Sequence, residues 1–435
     1  MTQTAMPTRP SRTAGADLVV LGIEVGLVAA AVLAGALLNH WRVPVHADAA
    51  PLYATWLPHA GPGTPVAVGL AVLVVHQGYR WAGELPWRRL LLLTYLGSVA
   101  WTLSLALVDG WTRGLSTRLT PQAEYLHDVP KVGGIPAMLA GFTSHILDFQ
   151  PGSWATHVAG HPPGAFLVFV LLDRIGLGGG GPAALLCVLV GASAPVSVAV
   201  TLRALGAGST ARAALPFLVL FPGAVWVGAS ADGMFTGVVA GGLALLARPG
   251  WGTALPGGLL LGFALYLSYG LVLVAPLALV VLWLKRDAVT AAVGAVGLAT
   301  VAGSFTASGF CWLTGYHLVV RRYYQGWAAD RPYPYWVWAD LAALVLCAGP
   351  AVGPALRRLF LARQGVWLLP AAALLAILAA DLSGLSKAEV ERIWLPYAIW
   401  LPVATGWLAE RHRRGFLAAQ ALTALAVNHL LVTGW

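Results

Sequence analysis

Two carboxylates are the first residues in this chain whose spacing suggests chemistry. In the segment TPQAEYLHDVPKV, residues 120–132, Glu124 and Asp128 stand four apart. On a helix that spacing puts both on one face. Neighbouring carboxylates raise each other's pKa, and desolvation beside an apolar phase raises it further. Such a group suits a general base that takes a proton from a hydroxyl. The same residues also suit a solvated, capped loop helix.

Four further segments carry candidate groups. In ATHVAGHPPG, residues 155–164, Pro162, Pro163 and Gly164 fix a bend, while His157 and His161 could donate to a phosphate or a sugar. A histidine pair four apart is also a zinc spacing. No third ligand lies near in sequence, so neither a metal nor another cofactor is expected. Asp232 in SADGMF, residues 230–235, stands at the mouth of an apolar run. It is either a functional ionisable group in a costly place or a helix cap. Residues 316–336 collect Arg321, Arg322 and Arg331 among Tyr323, Tyr324, Trp327 and further aromatic rings. Arginines grip phosphate oxygens bidentately, and such rings stack on sugars or border lipid. In LSKAEVERIWLPY, residues 385–397, Lys387, Glu389, Glu391 and Arg392 crowd the start of an apolar run. They read as salt-bridged capping, or as an arginine aimed at an anionic headgroup and held by a glutamate.

The elements that must position these groups follow from composition. Of the 435 residues, 58% are hydrophobic and 10% charged, against about 25% charged in soluble domains. Apolar runs recur at the length of about 20 residues that crosses a hydrocarbon core. The 51 glycines and 28 prolines are tolerated in membrane helices, and tryptophan favours the membrane interface. The net charge of +9 lies in short clusters between apolar runs rather than on one face, which argues against a nucleic-acid partner. Cys187, Cys311 and Cys347 have apolar neighbours and no metal-type spacing, so neither a disulfide framework nor thiol chemistry is read.

The fold expected is an all-α integral membrane bundle of about thirteen transmembrane helices. They cover 17–38, 64–82, 89–108, 181–205, 212–229, 232–247, 253–268, 270–284, 287–308, 337–356, 366–383, 393–409 and 416–433. The first run lacks a clear small-residue cleavage site and reads as an uncleaved span. With residues 1–16 as a cytoplasmic tail, every inside loop carries a cation, as the positive-inside rule asks. Three spans fill 17–108. Residues 109–180 form a long extracytoplasmic loop, with an interfacial helix at 161–178 interrupted by Asp173 and Arg174. The remaining bundle, 181–435, carries outer loops at 309–336 and 384–392. Most acidic residues and histidines then face outward. The positive-inside rule does not require this, so a site on the extracytoplasmic side of a multi-pass cell-membrane protein is expected.

The pattern resembles the GT-C superfamily, the multi-span glycosyltransferases that use polyprenyl-phosphate sugars. A span ends at Asp109 and is followed by a long outer loop with EYLHDV. HPPG and an interfacial helix come next, similar to the (H/K)-P-P segment of the protein-mannosyl- and aminoarabinose-transferase branches. A later span opens with SADGMF. RPYPYW and EVERIWLPY look like segments of actinobacterial membrane proteins grouped with mannosyltransferases. The likeness covers about residues 89–400.

The resemblance implies an inverting transfer from a membrane-held polyprenyl-phosphate sugar, with mannose as the sugar, to an acceptor hydroxyl. An outer-loop acid would deprotonate the acceptor, and basic side chains would neutralise the leaving phosphate. Glu124 and Asp128 are the paired candidates for the base, with the lone Asp109 third. His161, Arg321, Arg322, Arg331 and Arg392 are the candidates for the donor phosphate; His157, Asp232, Glu389, Glu391 and Tyr323 complete the set. A transporter or flippase of a lipid-linked sugar is the main rival. It usually brings paired repeats and broken mid-membrane helices, whereas this sequence offers only Glu24 at mid-span and no visible repeat.

Overall fold

The computed structural model describes residues 12–434, and the expected tail's Arg9 lies outside them. Among the described residues the chain is predominantly helical. Among these residues, four helices are long and apolar enough to cross a membrane: Gly15–His40, Trp87–Asp109, Gly180–Ala204 and Ala288–Ala307. A fifth span arises if Tyr333–Ala348 and Val352–Ala362, bent by 95° at their junction, are counted as one. Other expected spans are represented by shorter apolar helices, among them Ala231–Ala247, Trp251–Leu267 and Leu368–Leu382. Leu18, Ile23 and Leu33 on the first helix, and Val289 and Val296 on the Ala288–Ala307 helix, are exposed. Outward-facing aliphatic rows of this kind suit hydrocarbon rather than water.

Proline and glycine explain where expected spans break. The 212–229 run divides into Gly208–Val219 and Ala224–Val227 around Pro222 and Gly223. The 393–409 run becomes short turns, Val390–Ile393 and Leu395–Ala398, followed by a tighter helix Leu401–Trp407. Pro396 and Pro402 remove backbone donors there. The Pro163–Arg174 helix falls inside the expected interfacial segment, with Phe166, Phe169 and Val170 buried in the bundle. One expectation needs correction: the chain is not wholly α-helical. The Glu410–Leu430 helix ends in an extended stretch, Leu431–Thr433, which pairs antiparallel with Ala54–Trp56.

Small residues let the helices approach. A Cβ on Gly237 would run into the Val190 carbonyl, so the Ala231–Ala247 helix can lie directly on its neighbour. At its N-terminus, Ser230 accepts a hydrogen bond from the Gly233 amide and serves as the cap. Asp232 is thereby released from capping and occupies the first turn, where the helix dipole favours a negative charge. Elsewhere, Arg357 and Arg358 both reach Asp17, tying the first helix to Val352–Ala362.

Candidate functional site

Loop segments deliver three of the site's side chains. Glu124 and Asp128 do not share a helix face, which corrects the expectation from their spacing. They flank a single tight turn, Tyr125–His127, and point to different partners. The Asp128 carboxylate, fully buried, takes Lys131 Nζ at 2.5 Å and the Ala155 amide at 2.6 Å. Its effect is to hold the 155–164 segment against the loop. The His157 amide then donates to the Ala123 carbonyl at 2.9 Å. Those two anchors bring His157 Nδ1 to 2.9 Å from Glu124 Oε1.

The other side of His157 faces Arg392, whose Nη2 lies 3.1 Å from Nε2. A ring carrying its proton on Nδ1 suits both neighbours. Arg392 also donates through Nη1 to Asp232 Oδ2 at 2.6 Å and through Nη2 to Glu389 Oε2 at 2.9 Å. Burial alone would lower the guanidinium's pKa, but Asp232, Glu389 and Glu124 outweigh it and raise the value. Glu389 continues the chain, accepting Arg331 Nη2 at 3.0 Å on its second oxygen. Burial opposes ionisation of Glu389, yet Arg392 and Arg331 prevail and hold its carboxyl below the usual range.

The backbone under this ionic chain is strained at alanine and glutamate. Ala388 and Glu389 are consecutive left-handed residues with φ of 66° and 63°, and Ala229 beside Ser230 has φ 63°. Such conformations cost about 1–2 kcal/mol per non-glycine residue. They persist only where surroundings over-determine them. Here Asp340 Oδ1 accepts the Ala388 amide at 3.2 Å, and Arg331 donates to the Lys387 carbonyl at 2.7 Å.

Glu124, Tyr125, His157, Ser230, Asp232 and Arg392 line one narrow cleft, with Arg118 on its wall. No protein-family model, curated protein or solved structure matches this chain. The site is therefore read from its own geometry.

His161 lies beside the cleft rather than in it. Its Nδ1 is 2.9 Å from Tyr125 Oη and 2.7 Å from the His157 carbonyl. Burial, the largest influence, drives its pKa down to about 4. A ring left neutral in this way is a poor electrostatic partner for phosphate. Tyr125 is pushed well above its ordinary value by burial, then by Asp232 and Glu124, so it stays a phenol.

Several candidate residues stand apart from the cleft. Asp109 is enclosed by Arg113 Nη2 at 2.7 Å, Arg118 Nη2 at 3.0 Å and His59 Nε2 at 3.0 Å. Arg322 pairs with Asp148 at 2.7 Å, while Arg321 is exposed. The Tyr323 ring lies under Lys387 Nζ at 5.8 Å. Glu391, next to Arg392 in sequence, turns away from it and accepts the Tyr53 amide at 3.0 Å. Burial is the main cause that lifts its pKa to about 7. Among the described residues no cluster of three or more His, Cys, Asp and Glu side chains could hold a metal ion.

Sequence reasoning missed Arg118, Tyr125 and Ser230. A signal for Arg118 existed. The reasoning that singled out Arg321, Arg322 and Arg331, cations in a segment expected outside, applies equally to Arg113 and Arg118 in the 109–180 loop.

Proposed function

We propose that this protein is a membrane glycosyltransferase of the GT-C type, moving a sugar from a polyprenyl phosphate to an acceptor hydroxyl on the extracytoplasmic side. The observation that carries the reading is the Arg392 guanidinium. It touches Asp232, Glu389 and His157, and His157 in turn touches Glu124. Segments 120–132, 155–164, 230–235 and 385–397 thus meet at one polar point. The proposal keeps the thirteen-span topology with a cytoplasmic N-terminus.

In the proposed reaction Glu124 takes the acceptor's hydroxyl proton. The oxygen attacks the anomeric carbon, the bond from that carbon to the phosphate oxygen breaks, and the polyprenyl phosphate leaves with the electron pair. Arg392 and Arg118, both lining the cleft, offset the charge gathered on the leaving phosphate. His157 orients the Glu124 carboxylate. Asp128 and Asp109 are the weaker candidates for the base, because their oxygens are already held by Lys131, Ala155, Arg113 and Arg118. The test is purified protein in lipid nanodiscs with a radiolabelled polyprenyl-phosphate mannose and a panel of hydroxyl acceptors. Labelled product that appears with wild type and is lost in Glu124→Gln supports the reading. Full turnover in that variant removes Glu124 as base.

One observation favours a transporter or flippase instead. The bent pair Tyr333–Ala348 and Val352–Ala362 is a discontinuous helix, and Glu24 Oε1 accepts the Gly353 amide at 2.9 Å just past the break. Broken helices of this kind build transporter sites. Movement of lipid-linked sugar across sealed vesicles with no release of polyprenyl phosphate would select that reading.

A further inference from the structure

The strand Leu431–Thr433 lies where the sequence pattern expects the end of a last span. Ala54 faces Thr433, Thr55 faces Val432 and Trp56 faces Leu431. Beyond the strand ends, the Leu57 amide donates to the Leu430 carbonyl at 3.0 Å and the Gly434 amide to the Tyr53 carbonyl at 3.3 Å. Hydrogen-bonded pairs alternate along an antiparallel ladder, so the bonded pair between these two is Thr55 with Val432. A two-stranded ribbon of this size has little stability of its own. Its contacts with the rest of the protein give it a role.

One of those contacts reaches a residue of the cleft, and two end on carboxylates next to it in the chain or the fold. The Thr433 carbonyl accepts Arg118 Nη1 at 2.8 Å, while Nη2 of the same guanidinium donates to Asp109 at 3.0 Å. The Tyr53 amide, whose own carbonyl takes Gly434, donates to Glu391 beside Arg392. His59 follows Leu57 and places Nε2 3.0 Å from Asp109. The Arg118 side chain is 11% exposed and lines the cleft with Arg392. A flexible arginine is held there by one carboxylate and one main-chain carbonyl, and the carbonyl comes from the ribbon.

We propose that the Leu431–Thr433 strand is a positioning element of the site, fixing Arg118 as a second guanidinium for an anionic phosphate ester beside Arg392. The inference rests on the glycosyltransferase reading, in which that ester belongs to the lipid donor. It adds a part of the chain to the site that no motif announced. The strand acts through its backbone, so Val432→Pro, which removes the donor to Thr55, breaks the ribbon without changing any group in the cleft.

The experiment measures binding of polyprenyl phosphate by calorimetry in detergent for wild type, Arg392→Met, Arg118→Met, Val432→Pro and the Arg118→Met/Val432→Pro pair. Monodispersity and the melting curve confirm that each variant folds. Arg118→Met and Val432→Pro are each expected to weaken binding about tenfold, and the pair also about tenfold, because contacts in one network are not additive. Losses that multiply in the double variant, or unchanged binding in Arg118→Met, overturn the role given to the strand. If Val432→Pro fails to fold, Arg118→Lys replaces it. A lysine cannot bridge carboxylate and carbonyl in the same forked geometry, so retention of full affinity there also overturns the proposal. Wild type that binds no polyprenyl phosphate removes the underlying reading, whereas binding lost only in Arg392→Met removes this inference alone.

Discussion

Asp232 and Arg392 stand 160 residues apart in the chain and 2.6 Å apart in the fold. Both are buried, at 5% and 7% exposure. Removing one partner of a buried pair leaves the other charge without compensation, at a cost of about 3–5 kcal/mol. Arg392→Met is expected to lower the melting temperature strongly in detergent, and Asp232→Asn to lower it less, because Arg392 keeps its bond to Glu389. The double variant should lose less than the sum, and equal additive losses would show that the pair does not act as a unit.

Glu124 and Asp128 should separate by readout. Glu124→Gln keeps the size of the side chain and should still fold, while turnover falls by about 10²–10⁴, the range of general base catalysis. Asp128→Asn weakens the anchor on the Ala155 amide and should lower stability by about 1–3 kcal/mol. Its effect on turnover should follow the displacement of His157. A stable, inactive Asp128→Asn together with an active Glu124→Gln would reverse the assignment.

Stability against pH should show two opposing slopes. Glu391 has a carboxyl pKa raised from 4.5 to about 7. The folded state therefore holds more protons than the unfolded between those values, and this group's contribution falls as pH rises through that window. His161 has its value lowered from 6.5 to about 4. There the folded state holds fewer protons, and its contribution grows as pH rises from about 4 to 6.5. Relative to wild type, the melting temperature of Glu391→Gln should gain with pH across the shared window, and that of His161→Gln should lose. Profiles identical to wild type in both variants would refute these shifts.

The left-handed alanines give a backbone prediction. Ala388→Gly should fold and melt within about 1 kcal/mol of wild type, since glycine tolerates φ of 66° at some cost in unfolded-chain entropy. Ala388→Val should be markedly less stable, because a β-branched side chain resists positive φ. A valine variant as stable as the glycine one would show that the turn relaxes freely.

Much of the helical character was legible from the sequence, since apolar run length governs helix formation in this composition. The breaks were less so. Pro396 and Pro402 are visible in the sequence, yet only packing decides whether such prolines kink a span or dissolve it into short turns. The segments of the site were legible for a similar reason, because ionisable groups are scarce here and each one stands out. Their pairing was not. Glu124 and Asp128 share a helical spacing, but Pro121 and Pro130 flank a segment that folds as tight turns, and that sends the two carboxylates to different partners. Arg118 could be picked out as an outer-loop cation, but its tie to the Thr433 carbonyl could not, because a carbonyl leaves no mark on residue identity.

The long separation of Asp232 from Arg392 also bears on how the protein is made. Ribosomes add about 5–20 residues per second, so Asp232 emerges about 8–32 s before its 160-residue-distant partner. Through that interval an aspartate at the head of an apolar helix must be sheltered by water, lipid headgroups or an insertion factor. The last quarter of the chain thus completes the cleft and also neutralises a charge that the earlier helices have carried since their release.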